Sequence, residues 1–339
     1  MNLLRPVVAA AAAACLATGA IGATPSLPPL HASPSQTSVS GLSSGAFMAV
    51  QLQVAYSSTI VGAGVVAGGP YYCAADNMLL AGICMGQMPL VSLNPSLMVS
   101  AARRFGQDGR IDPLDNLAQR RIYVFSGRND TVVRQPAVNA TAAFFQEAGV
   151  RRENLAYVND LPAGHAIITH DHGNECGANS APYISQCVRG ARGYDQAGEL
   201  LGHIYGPLKA PAAKAQGRIV AFDQREFADG ATGMADTGFL YVPPTCETRG
   251  GCRVHVAIHG CLQAAESIGD RFYSHAGYNS WAETNRLLVL YPQVNKSIVP
   301  FNPQGCWDWW GYTSPAYAEK SGRQMRAIMN MVARLAQPR

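Results

Sequence analysis

The chain has 339 residues, of which 48% are hydrophobic and only 14% charged, with a formal net charge of +4. This composition supplies a large apolar core and excludes an intrinsically disordered chain. No basic run stands out, so nothing points to a nucleic-acid partner.

Residues 1–23 read as a secretory signal peptide. Arg5 supplies the positive charge, Val7 to Ala17 the apolar run, and Thr18 to Ala23 the small residues for cleavage after Ala23 or Ala20. A retained membrane anchor is the lesser reading, because the apolar stretch falls short of the roughly 20 residues needed to span a bilayer. After cleavage the chain is expected in the exterior or the periplasm, off the membrane. Of nine cysteines, Cys15 lies in the leader, which leaves eight in residues 24–339. An even number in an exported chain suggests disulfides. Connectivity stays open, although short separations favour Cys73–Cys84, Cys176–Cys187 and Cys246–Cys252, leaving Cys261 with Cys306. No C-x-x-C pair suggests zinc.

After a Pro- and Ser-rich lead-in over 24–35, Gln36 to Ser40 reads as a short strand, more polar than a buried central strand should be. It runs into Gly41-Leu42-Ser43-Ser44-Gly45, which is G-x-S-x-G, the spacing of a nucleophile elbow: a sharp strand-to-helix turn that leaves one serine oxygen exposed. Ala46 to Ala55 then reads as an apolar helix. In a chain with 34 glycines the motif alone is weak. Further strands are predicted at Ile60–Pro70, Arg121–Gly127 and Asn154–Val158, with a helix over Gln135–Ala148 between the last two. Residues 169–211 read as irregular. Strands follow from near Arg218, Phe239, Arg253 and Leu287, and a helix with an apolar stripe closes the chain over Ser321–Ala336. Strands alternating with helices predict a mainly parallel sheet covered on both faces, in one domain over 24–339.

Serine catalysis needs a histidine to take the proton, a carboxylate to orient it, and two N–H donors for the oxyanion. Asp130 and His165 each follow a predicted strand. The order Ser43, Asp130, His165 is that of α/β hydrolases. The oxyanion loop of that fold precedes its serine, and none does so here. A strand ending in His259-Gly260-Cys261 lies near the other terminus, where a circular permutation would put it. His170, Asp171 and His172 match no standard metal motif, and neither metal nor cofactor is expected.

Together with the elbow, Ser126-Gly127-Arg128-Asn129-Asp130, Gly164-His165-Ala166, His259-Gly260-Cys261-Leu262-Gln263 and Gly305-Cys306-Trp307-Asp308-Trp309-Trp310-Gly311-Tyr312 resemble extracellular poly(3-hydroxybutyrate) depolymerases, of the type whose oxyanion residue lies C-terminal to the lipase box. The resemblance covers nearly all of the mature chain. It implies a circularly permuted α/β-hydrolase fold acting on an aliphatic polyester or hydroxyalkanoate oligomer, with Ser43 as nucleophile, Asp130 as acid and His165 as base. It also implies the backbone N–H of Cys261 as oxyanion donor, joined in the elbow geometry by that of Ser44. Trp307 and Trp309 beside Cys306, and Tyr71 after a strand end, are the expected substrate contacts, with Trp307 first because it adjoins the cysteine. A monomer is expected. A feruloyl or acetyl-xylan esterase is the nearest alternative, and a non-catalytic polymer-binding module a more distant one.

Overall fold

The computed structural model describes residues 24–88 and 90–339. The expected signal peptide lies outside the described residues. Eight strands form the main sheet: β1 (Thr37–Leu42), β2 (Ile60–Val66), β3 (Arg121–Phe125), β4 (Leu155–Val158), β5 (Arg218–Asp223), β6 (Thr237–Val242), β7 (Arg253–Ile258) and β8 (Leu287–Tyr291). Their spatial order is β5-β6-β8-β7-β1-β2-β3-β4. The six strands from β8 to β4 run parallel, while β6 is antiparallel to both β5 and β8. Counted from Arg218 and continued round through β1, the same sheet reads 1-2-4-3-5-6-7-8. The second half of the chain thus supplies the first half of the sheet. The lead-in makes this rotation compact, since Leu30 and Ala32 donate backbone hydrogen bonds to Leu335 O at 3.1 and 2.9 Å, at the end of the last helix.

β1 is the central strand and is buried along its whole length. Its polar composition has a partner far along the chain. Ser38 and Ser40 lie on the two sides of His255 of β7, with Ser38 Oγ 2.6 Å from Nδ1 and Ser40 Oγ 2.8 Å from Nε2. Tyr205 OH contacts Ser38 Oγ, and Tyr278 OH contacts Ser40 Oγ, each at 2.7 Å. One proton arrangement uses every hydroxyl: Tyr278 donates to Ser40, Ser40 to His255 Nε2, His255 Nδ1–H to Ser38, Ser38 to Tyr205, and Tyr205 to the carbonyl of Gln36. The chain of bonds ties β1 to β7 at one register, and these two strands carry the elbow and the His259-Gly260-Cys261 loop.

Burial lowers the pKa of His255 to about 3, and that of His259 to about 4. Both therefore stay neutral in the fold but take a proton once unfolded in mild acid. Protons bound preferentially by the unfolded chain reduce stability as pH falls below about 6.5, by about 3 kcal/mol per residue at about pH 4.5. Circular-dichroism melts between about pH 7 and 4.5 are expected to show this loss, and a flat profile contradicts it.

Helices cover both faces of the sheet: α1 (Ser44–Ala55), α2 (Pro95–Gln107), α3 (Gln135–Glu147), α4 (Gln196–Tyr205), α5 (Tyr278–Asn285) and α6 (Arg323–Ala336). Every residue of α1 is buried, including Gln51 and Gln53, whose amides donate to Asp308 O and Ile60 O at 3.0 and 3.2 Å. The expected apolar stripe of α6 is present, with Met325, Ile328, Met331, Val332 and Leu335 buried. The stretch expected to be irregular contains α4 and two strands, Asn174–Glu175 and Ile184–Gln186, of a small sheet completed by Ile167–Thr169. Asp195 caps α4, accepting from the N–H of Gly198, while two glycines within the helix dilute its pattern. The disulfides are Cys73–Cys84, Cys176–Cys187, Cys246–Cys252 and Cys261–Cys306.

Candidate active site

The chain leaves β1 into Ser43 at φ 58° and ψ −123°, then enters α1 at once. This left-handed, non-glycine conformation is the strained corner expected of an elbow. The close approach around it requires glycine. A Cβ on Gly45 would run into the carbonyl oxygens of Ile258 and His259, and one on Gly41 into the backbone of Gly45. The first turn of α1 is thereby pressed onto the end of β7. Ser43, Ser44, Gly260 and Cys261 come to line one cleft of about 230 Å³.

His165 enters the same cleft from the loop after β4. It and Asp130, from the loop after β3, are buried. His165 Nδ1–H donates to Asp130 Oδ2 at 2.8 Å, while Asp130 Oδ1 accepts the N–H groups of Val132 and Val133 at 2.8 and 2.9 Å. With Nδ1 carrying the proton, Nε2 is the basic nitrogen. The Ser43 hydroxyl makes no protein hydrogen bond among the described residues, and bonds between nucleophile and base are commonly loose before substrate arrives.

The backbone N–H groups of Ser44 and Cys261 have no protein acceptor among the described residues. A polar frame fixes the loop that carries the second. Gly260 N–H donates to Gln263 Oε1 at 2.7 Å, and Gln263 Nε2 donates to Pro182 O and Tyr183 O. His259 Nε2 accepts from Val294 N–H at 3.1 Å, which leaves Nδ1–H to donate to Gly260 O at 2.7 Å. Leu262 N–H donates to Gln304 O, and the Cys261–Cys306 bridge ties the loop to residues 302–313. That segment folds around Asp308, whose buried carboxylate accepts the backbone N–H groups of Trp310, Gly311, Tyr312 and Thr313 and the hydroxyl of Thr313. Burial pushes the Asp308 carboxyl above the usual range, against the pull of these donors. Asp308→Ala would orphan them, and is expected to cost about 3 kcal/mol or more in denaturant unfolding.

The aromatic wall differs from expectation. Trp307 is fully buried, 5.4 Å from the ring of His259, and does not reach the cleft. Tyr71 is also buried, packed on Phe144 with its hydroxyl on Ala318 O. The main chain on either side of Trp307 is fixed, Cys306 by both ends of the Asn302 amide and Asp308 N–H by Gln324 Oε1. Trp309 does line the cleft, stacked on Phe47 at 4.2 Å, with Trp310 set edge-on to it at 5.2 Å. Phe47, one turn beyond the nucleophile on α1, and Met78, Ala81 and Met85 complete an apolar lining. Of these, only Phe47 had a visible signal, its place four residues after Ser43.

A mainly parallel sheet in this order, with an elbow, a carboxylate–histidine pair and a His-Gly loop at the carboxyl ends of its parallel strands, defines a circularly permuted α/β hydrolase. No protein-family model matches the chain. Curated relatives do. The chain is 42% identical to the poly(3-hydroxybutyrate) depolymerase of Delftia acidovorans over 341 residues, covering 99% of this chain and 66% of that protein. It is 38% identical to the polyhydroxybutyrate depolymerase of Talaromyces funiculosus over 330 residues, covering 92% of this chain and 93% of that one. The crystal structure of PHB depolymerase from Penicillium funiculosum superposes with a TM-score of 0.83 at 36% identity, over 92% of this chain and 98% of that chain. A PHB depolymerase complexed with an R3HB trimer matches equally well. The chain belongs to the poly(3-hydroxybutyrate) depolymerase family.

Proposed function

We propose that the protein is a serine esterase that hydrolyses the ester bonds of poly(3-hydroxybutyrate) or its oligomers. The observation that carries this reading is the convergence of Ser43, the Asp130–His165 pair and the unpartnered amides of Ser44 and Cys261 on one apolar cleft. The trimer bound by a relative supports a hydroxybutyrate chain as the ligand. In this mechanism Ser43 Oγ attacks the ester carbonyl as His165 Nε2 takes its proton. Asp130 holds the tautomer and stabilises the imidazolium, and the two amides receive the oxyanion. Collapse of the tetrahedral intermediate breaks the ester C–O bond, and the proton passes from His165 to the departing alkoxide. Water, deprotonated by the same histidine, then attacks the acyl carbonyl, and collapse breaks the bond to Ser43 Oγ, which takes the proton back from His165 as the hydroxy acid leaves.

Four disulfides support export, and no described helix is long and apolar enough to cross a membrane. The protein is read as a secreted monomer over 24–339. Exposed apolar side chains neighbour the cleft lining in sequence, Leu79 next to Met78, and Ile298, Val299 and Phe301 shortly before Gln304. Their exposure favours a water-insoluble substrate. Replacing Leu79 and Phe301 by serine is expected to lower adsorption to polyhydroxybutyrate film about tenfold, with soluble p-nitrophenyl butyrate hydrolysis unchanged. A parallel assay on film, hydroxybutyrate oligomers and feruloylated xylan tests the substrate class. Activity on xylan esters with polyester left intact would overturn it.

A further inference from the structure

We infer that Asn179 is the positioning residue for the Asp130–His165 pair, an inference that rests on the catalytic reading of that pair. Its side-chain amide uses all four of its hydrogen-bonding positions. Oδ1 accepts from the backbone N–H of Thr131 at 3.1 Å and of His165 at 2.9 Å. Nδ2 donates to the carbonyls of Asn129 at 3.0 Å and Gly177 at 3.1 Å. Two donors face the oxygen and two acceptors face the nitrogen, so the flipped amide would mismatch every contact, and the orientation is determined. Asn129 and Thr131 are the residues on either side of Asp130. One side chain therefore grips the acid from both sides and holds the main chain of the base.

The segment that carries Asn179 is built for this contact. It lies between Cys176 and Cys187, which close it into a loop. Gly164, the residue before His165, donates its N–H to Cys176 O at 2.8 Å, and a Cβ there would collide with the backbone of Gly177 and Ala178. The stapled excursion is thus pressed directly against the base loop. Asn129 also reaches that loop through its own side chain, Nδ2 donating to Pro162 O at 2.9 Å. Two loops from different strands are fixed relative to each other at the place where a carboxylate and an imidazole must meet. A displacement of about 1 Å at such a place can cost about 100-fold in rate.

The test is a double-mutant cycle on p-nitrophenyl butyrate, combining Asn179→Ala with Asp130→Asn in the full chain. Asn179→Ala alone is expected to lower kcat roughly tenfold to hundredfold with KM within about twofold. In the Asp130→Asn background, where the pair is already disabled, it is expected to lower kcat by less than about twofold. Asn179→Ser, which removes the amide without adding a charge, takes the place of the alanine variant in the cycle if that variant does not fold, with a loss of the same order expected. An unchanged kcat in the Asn179 variant, or an equal fold-loss in both backgrounds, overturns the positioning role while leaving the triad intact. Wild-type turnover in Asp130→Asn alone would instead overturn the triad reading, and this inference with it.

Discussion

Replacing Ser43 by alanine is expected to lower ester hydrolysis by about 10⁴-fold or more while leaving the protein folded. The side chain is small, and its hydroxyl makes no protein hydrogen bond that the fold would miss. Ser43 sits at a positive φ that alanine tolerates no worse than serine. The melting temperature should therefore shift by only a few degrees. Turnover of p-nitrophenyl butyrate beside a thermal melt separates the two effects. Activity near the wild-type level in a folded Ser43→Ala protein would remove the nucleophile from the mechanism.

A single methyl group at Gly45 is expected to do greater damage to the fold. The added carbon would overlap the carbonyl oxygens of Ile258 and His259, both backbone atoms of β7 and its loop, which no side-chain rotation can clear. α1 must then lift away from β7. Every residue of α1 is buried, so lifting it disturbs packing on all sides. Gly45→Ala is expected to cost about 3 kcal/mol or more, or to prevent accumulation of folded protein. Folded material that is recovered should be nearly inactive, because the same movement separates the amide of Ser44 from that of Cys261. Equilibrium denaturation checks the first outcome and the soluble ester assay the second. A variant of wild-type stability and activity would show that the elbow does not depend on this contact.

The candidate site could be read from the chain because its signals are local. G-x-S-x-G, Asp130 after a strand and His165 after a glycine are each recognisable within a few residues, and their order, with a displaced His-Gly loop, implied the rotated sheet that the strand order displays. The cysteine pairs were suggested by short separations for the same reason. What escaped was set by contacts between distant residues. Ser38 and Ser40 make β1 look unlike a central strand until His255 and Tyr278, more than 200 residues away, supply their partners. Trp307 and Trp309 differ by two positions in one short motif, and only the tight turn around Asp308 decides which faces the cleft. Asn179 has no motif at all, since its significance lies entirely in four backbone groups on other loops and its own.

Labelling with a serine-reactive phosphonate, followed by peptide mass spectrometry, asks directly whether residues from opposite ends of the chain assemble one reactive alcohol. A single adduct on Ser43, formed far more slowly in His165→Ala, is the predicted result. No adduct, or an adduct on another residue with Ser43 left unmodified, would contradict it.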